Sequence, residues 1–306
     1  MNQYLPEGFI YNTEENREYL SSTEKLKEAH REGRMLEGRV LVCDKDHNLM
    51  IDLKAAKGII LRDDAALGLD DGSTRDIAII SKVNKPVVFK IKETVQTGGG
   101  EKFYLTRKEV QRECVEEKIK RLEIGDIIPA KVTHIEAFGA FVDIGCGIIS
   151  LIPIDMISVS RIEHPKQRFK IGENIRVIIK DRDSEGRIML SHKELLGTWE
   201  QNAERFAVGQ TVTGVIRSIE SYGVFVELAP NLAGLAELCE GVKIGQSASV
   251  YIKNIIPEKM KIKLIIVDTF EDEAEKEPIE YFYFGDRIDS FLYTPECCPR
   301  EIKTEF

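Results

Sequence analysis

The sequence predicts an all-β protein made of three tandem five-stranded barrels, the first of them degenerate, joined by short helical linkers. Three observations carry that prediction. Two segments share one pattern: Ile124-Gly125-Asp126-Ile127-Ile128-Pro129-Ala130-Lys131-Val132 followed by Ala137-Phe138-Gly139-Ala140-Phe141-Val142-Asp143-Ile144, and Val208-Gly209-Gln210-Thr211-Val212-Thr213-Gly214-Val215-Ile216 followed by Ser221-Tyr222-Gly223-Val224-Phe225-Val226-Glu227-Leu228. Their matching glycines, Gly139 and Gly223, lie 84 residues apart, the size of one small barrel plus a linker. Within each segment β-branched and aromatic residues alternate with polar ones, the period-two mark of half-buried strands.

Taken in order, residues 1–35 form an amino-terminal extension, and residues 36–106 a weaker copy of the pattern. Gly38-Arg39-Val40 begins that copy, Leu49-Met50-Ile51-Asp52-Leu53 mirrors the Phe-Val-Asp strand, and Gly58-Ile59-Ile60 mirrors Ser150-Leu151-Ile152. Strands are expected at 86–92 and 102–105, either side of a Gly98-Gly99-Gly100 turn. The charged stretch 107–123, free of proline and, to Leu122, of glycine, reads as a linking helix. The middle copy, 124–193, has strands at 127–134, 138–144, 147–152, 174–180 and 187–191, with a basic connector (Arg161, His164, Lys166, Arg168, Lys170) after Pro153. Five short strands suit a partly open Greek-key barrel of the OB type. Asp183-Ser184-Glu185-Gly186 has hairpin chemistry, with glycine free to take positive φ. A second linker, 194–206, contains Trp199, which reads as a cap on a barrel end or as the residue that fixes the angle between repeats; the last copy occupies 207–268. Residues 269–306 hold an acidic hinge (Glu271, Asp272, Glu273, Glu275, Glu277) and a tail with Tyr281-Phe282-Tyr283-Phe284, read as a strand pair packing back on a barrel.

The 306 residues carry 52 acidic against 43 basic side chains, a net charge of -9, so bulk non-specific coating of duplex DNA is excluded and any nucleic-acid site is local. Met1 to Asn16 has neither the apolar core nor the basic flank of a signal or transit peptide, and the apolar stretch 137–157 is broken by Asp143, Pro153 and Asp155. A cytoplasmic protein with no membrane partner is expected. The six cysteines form no Cys-x-x-Cys pair, and a disulfide framework, a metal and a cofactor are all left without a motif. The five histidines are dispersed, and no Gly-x-x-x-x-Gly-Lys loop or Ser-His-acid set stands out, so no enzyme is expected.

The aromatic-Gly-x-Phe pattern matters because Phe138 and Phe141 are three apart, which strict alternation places on opposite faces. A glycine bend or bulge re-aims one of them, so that both rings reach the outer surface and stack nucleobases at about 1–3 kcal/mol per base. The bland alternative is that both rings fill the barrel. Likewise, Arg187 either meets a phosphate or merely pairs with Asp183 across the hairpin.

The residues Phe138-Gly139-Ala140-Phe141-Val142-Asp143, Lys170-Ile171-Gly172-Glu173 and Arg187-Ile188-Met189-Leu190-Ser191-His192-Lys193 resemble, in order and spacing, the RNA-binding repeat of the ribosomal protein S-one family. Leu195-Leu196-Gly197-Thr198-Trp199-Glu200 resembles the Trp-containing link between its tandem repeats, and the chain as a whole is similar to the short S-one-like proteins of Gram-positive bacteria. The resemblance implies an RNA face of two aromatics, a histidine, an aspartate and an arginine. Here these become Phe138, Phe141, Asp183 and Arg187, with Pro153 in the histidine's place. Lys131, Lys166 and Arg168 are expected to supply further cations. In the last copy Tyr222 and Phe225 keep the pair, Glu237 replaces the histidine, and Pro257 and Lys261 fall at the Asp and Arg positions. In the first copy the pair falls on His47 and Met50, which points to scaffolding or protein contact.

The expectation is therefore a monomer that binds single-stranded RNA, messenger RNA above all, with weak sequence preference, on the small ribosomal subunit. A protein-interaction adaptor on the ribosome or an RNA-processing assembly, and a regulatory RNA binder outside translation, are the alternatives.

Overall fold

The computed structural model describes residues 4–98, 100–270 and 278–306. Gly99 of the glycine turn and the acidic hinge 271–277 lie outside the described residues. The strands form three closed barrels and one two-stranded sheet. The chain divides into two compact units, one of residues 1–122, 129–131 and 143–149, the other of residues 123–128, 132–142 and 150–306.

The first barrel comprises β1 (Leu36–Cys43), β2 (Leu49–Asp52), β3 (Lys57–Ile60), β4 (Pro86–Thr97) and β5 (Gly100–Thr106) in the order β1-β2-β3-β5-β4. The middle one is built of β6 (Ile127–Glu136), β7 (Gly139–Asp143), β8 (Ile149–Pro153), β9 (Asn174–Arg182) and β10 (Ile188–Ser191). The last has β11 (Thr211–Glu220), β12 (Gly223–Ala229), β13 (Leu232–Ala236), β14 (Ser247–Ile256) and β15 (Lys261–Phe270), with the same order as the first. In all three, the third strand meets the fifth in parallel and the fourth meets the fifth in antiparallel. Alternation decides which side chains turn inward. Val40, Ile51, Ile60 and Phe103 fill the first barrel, Val224, Val226, Val250 and Ile252 the last, and all are sealed from water.

Two parts of the first unit lie outside the barrel strands. Helices α1 (Glu14–Tyr19) and α2 (Thr23–Glu32) start at the capping side chains of Thr13 and Ser22, and Tyr19, Leu20, Leu26 and Ala29 join the first barrel's core. Between β3 and β4 the chain inserts α3 (Arg62–Ala65) and α4 (Ile77–Ile80). The linking helix is α5 (Lys108–Glu117), followed by a 3-10 turn, Ile119–Arg121.

Ahead of α1, the chain is pinned by buried charge. The Glu7 carboxylate receives Arg107 Nε at 2.6 Å and Lys82 Nζ at 2.7 Å, while its amide donates to Asp143 Oδ2 at 2.7 Å. Asp143 Oδ1 also accepts from the amides of Gly145 and Gly147, so the aspartate of the Phe-Val-Asp motif is a structural acceptor. Burial alone raises the Glu7 carboxyl, but Arg107 and Lys82 outweigh it and hold it at about 2. Burial pushes Glu37 up to about 8, with one carboxyl oxygen unpartnered and the other accepting from the Gly8 amide.

In the second unit the 3-10 turn Lys193–Leu196 leads into α6 (Trp199–Ala203), which opens on a capping box of Thr198 and Gln201. Trp199 is 3% exposed within the last barrel's core. The tail's strand pair is β16 (Ser290–Leu292) with β17 (Lys303–Glu305), rather than the aromatic run at 281–284. Tyr281 instead packs its ring against His192, at 5.7 Å between centroids. His192 is itself buried, which lowers its pKa to about 4.

Candidate nucleic-acid interface

Phe138 closes the turn between β6 and β7, and Phe141 lies on β7. Phe138 is 57% exposed, Phe141 half-buried, and the two rings meet edge to face with centroids 5.9 Å apart. Both therefore reach one surface. The glycine between them is required by packing: a Cβ on Gly139 would meet the Ile152 carbonyl oxygen and sit 2.9 Å from Leu151 Cδ1. His134 on β6 presents an exposed ring 6.2 Å from Phe141 and shares a 2.5 Å hydrogen bond with Glu136. The face thus carries three rings where the sequence pattern singled out two.

The last barrel repeats this geometry. Tyr222 is 66% exposed, Phe225 is half-buried, and their rings meet edge to face at 6.1 Å. A Cβ on Gly223 would lie 2.5 Å from the Ala236 carbonyl oxygen, the same close approach to the end of the third strand. In the first barrel His47 holds φ +62°, with Nδ1 3.6 Å from Asp76, and Met50 takes the second ring's place.

Cross-strand register extends each face. Leu151 pairs with Met189 in the middle barrel, Phe225 with Leu235 and then Lys263 in the last, and Met50 with Ile59 and then Tyr104 in the first. The outer row changes from aliphatic and aromatic to cationic between barrels while the inward residues stay apolar. Met189, Lys263 and Tyr104 are invisible to a local motif; the strand register places them.

The expected cations divide. Lys166 is exposed in the 3-10 turn Pro165–Gln167, and Lys261 is exposed at the start of β15. Asp183 and Arg187 close the hairpin before β10: Asp183 accepts from the Glu185 and Arg187 amides and pairs with Arg187 Nε at 2.7 Å, which holds its carboxyl below the usual range. The pair thus holds the hairpin closed, and with 73% of its side chain exposed Arg187 stays accessible. Lys131 turns to the amino-terminal segment, with Nζ 3.2 Å from the Glu7 carbonyl oxygen. Arg168 requires correction. Its side chain is 8% exposed and ion-paired with Glu227, because the buried carboxylate offers the guanidinium a partner that solvent does not. It is no part of an open RNA face. Pro153 ends β8, and Glu237 stands 89% exposed at the matching place in the last barrel.

Among the described residues no group of His, Cys, Asp and Glu is arranged to hold a metal ion, and no helix is long and apolar enough to cross a membrane.

Residues 121–193 match the S1 RNA binding domain family. Small ribosomal subunit protein bS1 of Streptococcus pneumoniae is 31% identical over 193 residues, covering 58% of this chain and 48% of that protein. The bS1 homolog of Bacillus subtilis is 35% identical over 164 residues, covering 52% of this chain and 41% of that protein. The chain spans less than half the length of these two curated relatives. A solved multidomain protein with nucleic acid binding domains from Streptococcus pneumoniae superimposes with a TM-score of 0.26 at 13% identity, covering 77% of this chain and 74% of that one. The middle barrel is thus of the S1 RNA-binding type, and over a little more than half its length the chain is similar to small ribosomal subunit protein bS1.

Proposed function

We propose that this protein binds single-stranded RNA with low sequence specificity, holding messenger RNA on the small ribosomal subunit in the cytoplasm. The observation that carries the reading is the edge-to-face aromatic pair, exposed at matching places in the middle and last barrels. Every base has a π-face, so rings of this kind accept any sequence. Phe138 and Phe141, joined by the His134 ring, stack bases; Arg187 and Lys166 meet phosphates, with Asp183 orienting Arg187. In the last barrel Tyr222, Phe225 and Lys261 take the same roles. The first barrel serves as scaffold or protein contact: its exposed large apolar side chains, Leu41, Val42, Leu61, Ile77 and Ile80, are aliphatic.

The test is titration of oligouridine across a salt series. Each phosphate neutralised contributes about -0.7 to the slope of log affinity against log salt, so a few contacts give a slope of about -2. Co-sedimentation with purified small subunits tests the ribosomal setting. Binding that is flat with salt removes the phosphate contacts, and absence from the small-subunit peak removes the setting.

A further inference from the structure

The connector read from sequence as a basic RNA contact has another use. Residues 158–168, leading from β8 towards β9, dock on the turn between β12 and β13 of the next barrel. The Ser160 amide donates to the Pro230 carbonyl at 3.2 Å. Arg168 reaches Glu227, whose carboxylate also accepts both Nε and Nη2 of Arg217 at 3.0 and 2.9 Å. The three charged side chains are nearly sealed, at 8%, 7% and 11% exposure. Surface ion pairs add little, but breaking a buried pair leaves a charge without solvent or partner.

Asn231 is the second fastening, and it is fully buried. Its Oδ1 accepts from the Val159 amide of the connector at 2.9 Å; its Nδ2 donates to the Lys193 and Gly197 carbonyls of the linker at 2.8 and 2.9 Å. Its own carbonyl accepts from Tyr293 Oη of the tail at 2.5 Å. The side chain and the backbone carbonyl therefore join four segments, with both polar atoms of the side-chain amide hydrogen-bonded. The tail adds a strap. Arg176 on β9 donates to the Tyr283 and Gly285 carbonyls, and the Asp286 carbonyl accepts from Ile127 at the start of β6. Tyr293 then enters the last barrel's core.

We propose that the middle and last barrels form one rigid body carrying two RNA platforms, and that Arg168, Glu227 and Asn231 are the positioning residues that fix the spacing between them. The bivalent part rests on the RNA reading above; the rigid-body part does not. With orientation set before binding, an RNA long enough to span both platforms binds the second without the ordering cost of a flexible linker. Phe225 and Glu227 lie two apart on β12, on one face of the strand, so the fastening abuts the aromatic platform directly.

The experiment uses the full chain with spin labels on Asp181→Cys and Lys253→Cys, after the four cysteines that are not fully buried (Cys43, Cys239, Cys297, Cys298) have been changed to serine. The wild-type background should give a narrow inter-label distance distribution, and Arg168→Met with Asn231→Ala a broad one. In parallel, affinities are measured for oligouridines of about 6 and about 14 nucleotides. The longer should bind the wild type about 100-fold more tightly, and the double variant only about tenfold more tightly, with affinity for the short one unchanged. Should Asn231→Ala unfold the last barrel, Arg168→Met alone carries the test, because it leaves the Arg217–Glu227 pair in place. A distribution as narrow in the folded variant as in wild type overturns the fastening. A broad distribution with an undiminished length gain overturns the bivalence. A narrow wild-type distribution with no binding of either RNA overturns the RNA reading, and the bivalence with it, while the rigid body stands.

Discussion

The first and middle barrels share a strand programme and differ on the outside. Both seal an inward row of aliphatic residues, and both join the third strand to the fifth in parallel, through Ile59–Tyr104 in one and Leu151–Met189 in the other. In the turn before the second strand and on that strand the middle barrel shows Phe138 and Phe141 where the first has His47 and Met50. Between those two positions the middle barrel has Gly139, pressed against β8, and the first has Asn48, whose side chain bonds Asp44 at 2.9 Å and accepts from the Arg62 amide at 3.0 Å. Closing a barrel constrains only the inward row. The outer row is free to diverge, and a glycine that admits close strand contact goes with the exposed ring pair.

The largest expected effect on this comparison lies in pH. Glu37 in the first unit has its folded pKa raised from 4.5 to about 8, so the folded state keeps a proton that the unfolded chain loses. Stability there falls as pH rises from about 4.5 to about 8 and is level above, by on the order of 5 kcal/mol. Glu37→Gln should remove most of that slope, leaving the smaller fall that the buried Asp143, raised to about 6, gives below pH 6. His192 in the second unit is lowered from 6.5 to about 4, so its contribution is full above pH 6.5 and is lost as pH falls towards 4, by on the order of 3 kcal/mol. Hydrogen exchange corrected for intrinsic rates, followed strand by strand at pH 5 and 8.5, checks both; slopes of the same sign in the two units would break the contrast.

Next in size is the glycine. Gly139→Asn, which copies the first barrel, should cost about 1–3 kcal/mol through overlap with Ile152 and Leu151. A urea melt as stable as wild type would show that β7 can move away from β8. The smallest effect belongs to the hairpin cation: Arg187→Gln should flatten the salt slope of RNA binding by about 0.7 and leave folding within about 0.5 kcal/mol. An unchanged slope would return Arg187 to a purely hairpin role.

Strand positions and the three-fold repeat were legible because alternation is local: Val142, Ile152 and Val177 announce an inward row in any short window. The ring pair was legible as a pattern, but its shared face rests on Gly139 meeting β8, which only register shows. Arg168 was misread because charge in a connector looks solvated when its partner, Glu227, is 59 residues away. The Glu7–Arg107 pair, 100 residues apart, escaped for the same reason. Pairings of this range are set by the closed fold and leave no local periodicity.

The most direct test is fluorescence anisotropy of a labelled single-stranded RNA titrated with wild type, with Phe138→Ala plus Phe141→Ala, and with His47→Ala plus Met50→Ala, at two salt concentrations. At about 1–3 kcal/mol per stacked base, removing the middle pair should weaken binding at least tenfold, and removing the first barrel's residues should change nothing. Equal affinity of all three folded proteins, or no binding by wild type at micromolar concentration, would contradict an aromatic RNA platform on the middle barrel.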